Sequence, residues 1–124
     1  MALAPEVAVD EFLAGHAFAR EVHGAVLRML EAAGPFTARA TRSQLAYRRR
    51  RAFAWLWLPG TWLARPADDV VLTIALGRHD PSPRFKEVAH PSPRHWVHHL
   101  EVRALADLDD DVAAWLREAY ERAG

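Results

Sequence analysis

Apolar residues recur along this chain with two different periods. Phe18, Val22, Ala25, Val26, Met29, Leu30 and Ala33 follow i, i+3, i+4 spacing, with Arg20, Glu21, Arg28 and Glu31 on the opposite face. This spacing predicts an amphipathic helix that stops at Gly34-Pro35. A shorter helical turn is expected around Asp10 to Ala14. From Phe36 to Arg103 the period shortens. Apolar runs of strand length cover Gln44 to Arg48, Ala52 to Leu58, Val70 to Leu76 and Trp96 to Val102. An arginine run, Pro59-Gly60, Pro66-Ala67-Asp68-Asp69 and the Pro-rich segment 81–93 separate them as turns. The connections are too short for parallel crossovers, so the strands should pair antiparallel. Asp109-Asp110-Asp111 then opens a second helix, since aspartate caps a helix start and negative charge suits that end. Val112, Trp115, Leu116, Ala119 and Tyr120 form its apolar stripe.

The expected fold class is therefore α+β. It has a mostly antiparallel sheet of four to five strands, flanked in sequence by an N-terminal and a C-terminal helix, in a two-layer sandwich. With 124 residues, one domain over 1–124 is expected. Pro81-Ser82-Pro83-Arg84-Phe85 is echoed at Pro91-Ser92-Pro93-Arg94-His95. Two copies ten residues apart make no repeat architecture; they read as two extended turns leading into strands.

Composition narrows the function classes. The chain is 51% hydrophobic and 26% charged, a globular balance. Sixteen basic and sixteen acidic residues cancel, so no whole-molecule attraction to nucleic acid or an anionic membrane is expected. Without cysteine there is no disulfide, thiolate metal site or cysteine nucleophile. The acidic N-terminus, with Glu6, Asp10 and Glu11, does not read as a secretory signal, and no apolar run is long enough to span a bilayer. A cytoplasmic location is the expectation. Arginine outnumbers lysine 15 to 1, which reads as codon bias of a GC-rich genome.

Four constellations could carry chemistry. His90, His95, His98 and His99 lie within ten residues, near His79. Imidazole is a common metal ligand, but in a strand His98 and His99 point to opposite faces. Only His95 with His99, or His99 with Glu101, could converge, and no metal site or cofactor is expected. Arg39, Arg42, Arg48, Arg49, Arg50 and Arg51 occupy a stretch without acids. They could contact phosphate, yet strand alternation denies Arg48 to Arg51 a flat surface, and a solvated hairpin tip is favoured over a nucleic-acid partner.

In the strand Ala52 to Leu58, Phe53, Trp55 and Trp57 are expected on one face and Ala54, Leu56 and Leu58 on the other. A strand apolar on both sides needs cover on both sides. The loop Thr61 to Asp69, a ligand, or a second copy in a homodimer would provide it. Finally, polar groups punctuate the apolar runs: Ser43, Tyr47, Thr73, Lys86, Glu87, His99 and Glu101. Lys86 is the only lysine. No nucleophile elbow, phosphate loop or dinucleotide fingerprint is present.

The segments Ser43-Gln44-Leu45-Ala46-Tyr47, Phe53-Ala54-Trp55, Arg84-Phe85-Lys86-Glu87, His98-His99-Leu100-Glu101 and Trp115-Leu116-Arg117-Glu118-Ala119-Tyr120 carry a resemblance. In this order they span nearly the whole chain. It resembles small uncharacterised bacterial domains known only as a domain of unknown function, relatives of which carry the label "predicted transport protein"; the wording looks actinobacterial. The resemblance implies a stand-alone α+β domain and supplies no activity.

The expected function is a non-enzymatic module that binds a small ligand or a protein through the open sheet face. Its candidate site is Ser43, Tyr47, Trp55, Trp57, Arg84, Lys86, His99 and Glu101. The alternatives are nucleic-acid or phosphate binding through residues 39–51, and a hydrolase or metal-dependent enzyme with His99 and Glu101 as base and partner.

Overall fold

A computed structural model describes residues 6–58 and 70–124. A short helix α1 (Val9–Leu13) leads into α2 (Ala17–Glu31). Six strands follow: β1 (Thr37–Ala40), β2 (Gln44–Arg48), β3 (Ala52–Trp57), β4 (Val70–Leu76), β5 (Glu87–Ser92) and β6 (His95–Val102). Helix α3 (Asp110–Arg122) closes the chain. The strands form one sheet in the order β1-β2-β3-β4-β6-β5, with every neighbouring pair antiparallel.

The α+β class and both long helices agree with the hydrophobic periods; the strand count does not. Among the described residues six strands replace the expected four to five, because both edge strands escaped the apolar pattern. Strand β1 reads Thr-Ala-Arg-Ala and buries only Ala40. Strand β5 carries His90 and Pro91. A strand at a sheet edge has one unpaired side, so it tolerates proline and needs little apolar character. The proposed covering loop Thr61 to Asp69 lies outside the described residues.

Alternation along the strands sets which side faces the helices. Leu45 and Tyr47 of β2, Leu56 of β3, Leu72, Ile74 and Leu76 of β4, and Leu100 and Val102 of β6 are all buried. They meet Val22, Val26 and Leu30 of α2 and Val112, Leu116, Ala119 and Tyr120 of α3 in one cluster. Burying this many aliphatic side chains, at about 1.5–3 kcal/mol each, is the main stabilising term. Asp109 caps α3, its side chain accepting the Val112 backbone N–H at 3.2 Å. No helix among the described residues is long and apolar enough to cross a membrane.

One irregularity corrects the expected faces of β3. The β2–β3 ladder pairs Tyr47 with Ala54 but Arg48 with Ala52, so Phe53 is an extra residue. Such a bulge lets two consecutive side chains share a side. Phe53 and Ala54 are both buried, and the Phe53 ring meets Tyr120 of α3 edge-on at 5.8 Å. Phe53 thus joins the helix side, while Trp55 and Trp57 stay on the other.

Candidate functional site

The face of the sheet turned away from the helices carries unusual chemistry. The ladder registers align Ala46, Trp55, Thr73, His99 and Glu87 in one row across five strands. The next row toward one end aligns Gln44, Trp57, Val71 and Glu101. On the other side of Thr73, Ala75 pairs with Val97. The centre of the face is thus apolar apart from Thr73 and His99.

Thr73 is 1% exposed, and its hydroxyl lies 2.8 Å from His99 Nδ1. A buried hydroxyl needs such a partner, because leaving it unpaired costs about 1–3 kcal/mol. Beside them, the buried Trp57 Nε1–H has no hydrogen-bond partner among the described residues. Glu101 is held by two cations, Lys86 Nζ at 2.5 Å and Arg103 Nη2 at 2.7 Å. The Lys86 hydrogen bond, reinforced by Arg103, outweighs desolvation and keeps the Glu101 carboxyl below its usual range. A carboxylate so neutralised is a poor general base and a poor orienter for His99.

At one end of this face lies a hollow of about 190 Å³. Trp55, Ala75, Val97, Pro91 and Ala52 line it, with Arg51, Arg122 and His95 as its polar members. The last turn of α3 supplies its far wall through Ala119 and Ala123.

Of the eight candidate residues, Trp55, Trp57, His99 and Glu101 lie on this face, and Lys86 reaches it from the start of β5. Three do not join them. Tyr47 is on the helix side, fully buried, with its hydroxyl 2.7 Å from His23 Nδ1. Burial pushes the Tyr47 phenol well above its ordinary value, and burial followed by the Arg20 charge lowers His23. Ser43 sits in the β1–β2 turn, bonded to the Thr41 hydroxyl through its backbone N–H and side chain. Arg84 also leaves the face. Its guanidinium grips Asp109 at 2.9 Å and the Asp107 carbonyl at 2.7 Å, and lies 5.6 Å from the Trp115 ring centre. It fastens the 77–86 loop to the start of α3. An isolated polar residue in an apolar run does not reveal its side once a turn interrupts the alternation.

The two neighbouring histidines have separate environments. His98 is buried on the helix side, where Nε2 accepts the Asp80 backbone N–H at 3.0 Å and Nδ1 donates to the Trp96 carbonyl at 3.1 Å. A backbone amide only donates and a carbonyl only accepts, so the ring is held in one neutral tautomer. Burial, the largest cause, lowers its pKa. Asp80 beside it accepts Trp115 Nε1–H at 2.9 Å and the Ser82 N–H at 2.9 Å. Burial opposes the charged form of Asp80, but these bonds and Arg78 outweigh it and lower its pKa. Among the described residues, no three His, Cys, Asp or Glu side chains converge as a metal site.

The arginine run has a structural task. Arg49 Nη1 donates to the Tyr120 carbonyl at 3.2 Å, and its guanidinium lies 4.2 Å above the Tyr120 ring. Arg51 Nη2 donates to the Arg122 carbonyl at 2.9 Å, and the Arg50 backbone N–H to the Ala123 carbonyl at 3.1 Å. The β2–β3 hairpin thus caps the carbonyl end of α3, where positive charge is favoured. Arg39 pairs with Glu6 at 3.4 Å, and Arg42 is exposed beyond β1. Sequence reasoning did not single out Ala75, Pro91, Val97 or Arg122 as site residues. Nothing local marks them, since the hollow forms only where β4, β6 and α3 meet.

Comparison with curated proteins and with solved structures finds no match. A family model does match, from residue 8 to residue 123. With nearly the whole chain covered, the protein belongs to the family described as Domain of unknown function (DUF5655).

Proposed function

We propose that this chain is a small-molecule-binding module whose site is the open face of the sheet around Trp55. The observation that carries this reading is the hollow of about 190 Å³ lined by Trp55, whose ladder partner Thr73 bonds His99. An apolar concavity with a few fixed polar groups is the usual form of a ligand site. The volume falls below the roughly 300–1,000 Å³ of drug-sized pockets, so the ligand is small. The Thr73–His99 pair places a polar group in the centre of the face, next to Trp55.

A catalytic reading has less support. Glu101 is tied to Lys86 and Arg103, and His99 Nδ1 to Thr73. A nucleic-acid reading also weakens, because Arg49 is held by the Tyr120 carbonyl and ring and Arg39 is paired with Glu6.

A fragment screen by protein-observed NMR tests the proposal. Hits are expected to shift the signals of Trp55, Thr73, Ala75 and Val97, and Ala75→Leu, which fills the hollow, should abolish them. Hits that all map elsewhere, or that survive Ala75→Leu unchanged, would overturn it.

A further inference from the structure

The hollow beside Trp55 is apolar inside and cationic at its rim. Arg51 and Arg122 both line it, and among the described residues no carboxylate does. Neither guanidinium forms an ion pair among the described residues. Each is instead fixed by a backbone carbonyl. Arg51 Nη2 donates to the Arg122 carbonyl at 2.9 Å, and Arg122 Nη2 donates to the Arg94 carbonyl. A guanidinium has five N–H donors, so each retains several.

The surroundings hold Arg122 in place. Its side chain crosses Gly77, where an added Cβ would come within 2.7 Å of Nε. Its Nη2 also lies 3.4 Å from His95 Nδ1. A guanidinium can only donate, so Nδ1 accepts and the imidazole proton sits on Nε2 as a further donor. Two like charges and a donor thus converge on one apolar hollow without an acid to balance them. Holding two long cationic side chains there costs conformational entropy and mutual repulsion. An anion relieves the repulsion and uses the spare donors.

We infer that the hollow takes a small organic carboxylate. Its compact aromatic or branched apolar body lies against Trp55, Ala75 and Val97, and its carboxylate faces Arg51 and Arg122. This rests on the reading of the open face as a ligand site and names the chemistry of that ligand. A planar carboxylate matches the fork of a guanidinium. The small apolar volume suits one anionic head on one compact body, in preference to a polyphosphate.

The test is titration of the full chain with benzoate, phenylacetate and indole-3-acetate, each paired with its neutral amide, and with inorganic phosphate. Binding is read from the NMR signals of Trp55, Ala75 and Val97. Each acid should bind at least about tenfold more tightly than its amide, since hydrogen bonds to charged groups are the stronger ones. Arg122→Gln and Arg51→Gln should each shrink that ratio toward one, with thermal melts showing that both variants remain folded. Two variants are used so that a folding defect in one leaves the other decisive.

Acids and amides binding equally well would overturn the carboxylate inference and leave the ligand site standing. Phosphate binding as tightly as the organic acids would overturn it too. If no acid binds while fragments still occupy the hollow, only this inference falls. If neither binds, both readings fall.

Discussion

Gly34 joins two helices through the absence of a side chain. Its φ of +144° is open to glycine and strained for other residues. The Tyr120 hydroxyl donates to the Pro35 carbonyl at 2.9 Å and occupies the space that a Cβ at position 34 would need. Gly34→Ala therefore adds backbone strain and a clash, and should cost about 1–3 kcal/mol in urea denaturation. Tyr120→Phe removes the clashing oxygen, so the double variant should be less destabilised than the sum of the singles. An additive result would show that the contact is not the cause. The Gly-Pro pair is readable in the sequence as a helix stop. That Tyr120, 86 positions later, closes over the same glycine is not, because contact between α2 and α3 depends on how both pack against the sheet. The same holds for Tyr47 and Arg84: their polarity stood out among apolar neighbours, but their partners His23 and Asp109 come from distant parts of the chain.

Among the elements, the β2–β3 hairpin and α3 stabilise each other. Two guanidiniums and one backbone amide of the hairpin satisfy carbonyls at the last turn of α3. Arg49→Ala loses a bond to the Tyr120 carbonyl and a cation–ring contact, each worth about 0.5–1 kcal/mol at an exposed site. The expected result is a lowered melting temperature, with part of the loss also produced in the wild type by raising salt. An unchanged melting temperature would mean that the cap contributes nothing. The hairpin itself was legible, since four consecutive arginines between two apolar runs can hardly lie flat in a strand. Its docking partner was not, because a charge run carries no record of which carbonyls lie opposite. The edge strands failed for a related reason. Strands β1 and β5 are held by ladder bonds to β2 and β6, and a backbone bond leaves little trace in side-chain type.

At the scale of the whole molecule, buried His98 and half-buried His23 tie stability to pH. His98 and His23 both have pKa values lowered from 6.5, with burial the largest cause. Below about pH 6.5 the unfolded chain binds protons that these sites resist. Their contribution is therefore complete above pH 6.5 and is lost as pH falls through the lower folded values. Asp80, Glu101 and Asp109, all lowered, add a second loss below about pH 4, where unfolded carboxylates protonate. Urea midpoints should hold steady from pH 8 to about 7, fall between about 6.5 and 5, and fall again below 4. A flat profile from pH 7.5 to 5 would contradict the histidine part, and His98→Asn should flatten that region in proportion to its share.

The hydrophobic periods by themselves determined that two amphipathic helices bracket a run of antiparallel strands, because both patterns are local and repeat within a few residues. They also determined that Trp55 shares a side of its strand with Trp57, and His99 a side of its strand with Glu101, wherever alternation runs unbroken; that the two pairs lie on one face follows from the register of β3, β4 and β6. Three things were decided only by tertiary structure: the turn of Phe53 inward at a bulge, the capping of α3 by the arginine hairpin, and the meeting of Trp55, Val97, Arg51 and Arg122 around one hollow. Each joins residues far apart in the chain, and which of them meet is set by sheet register and helix packing, not by spacing along the backbone.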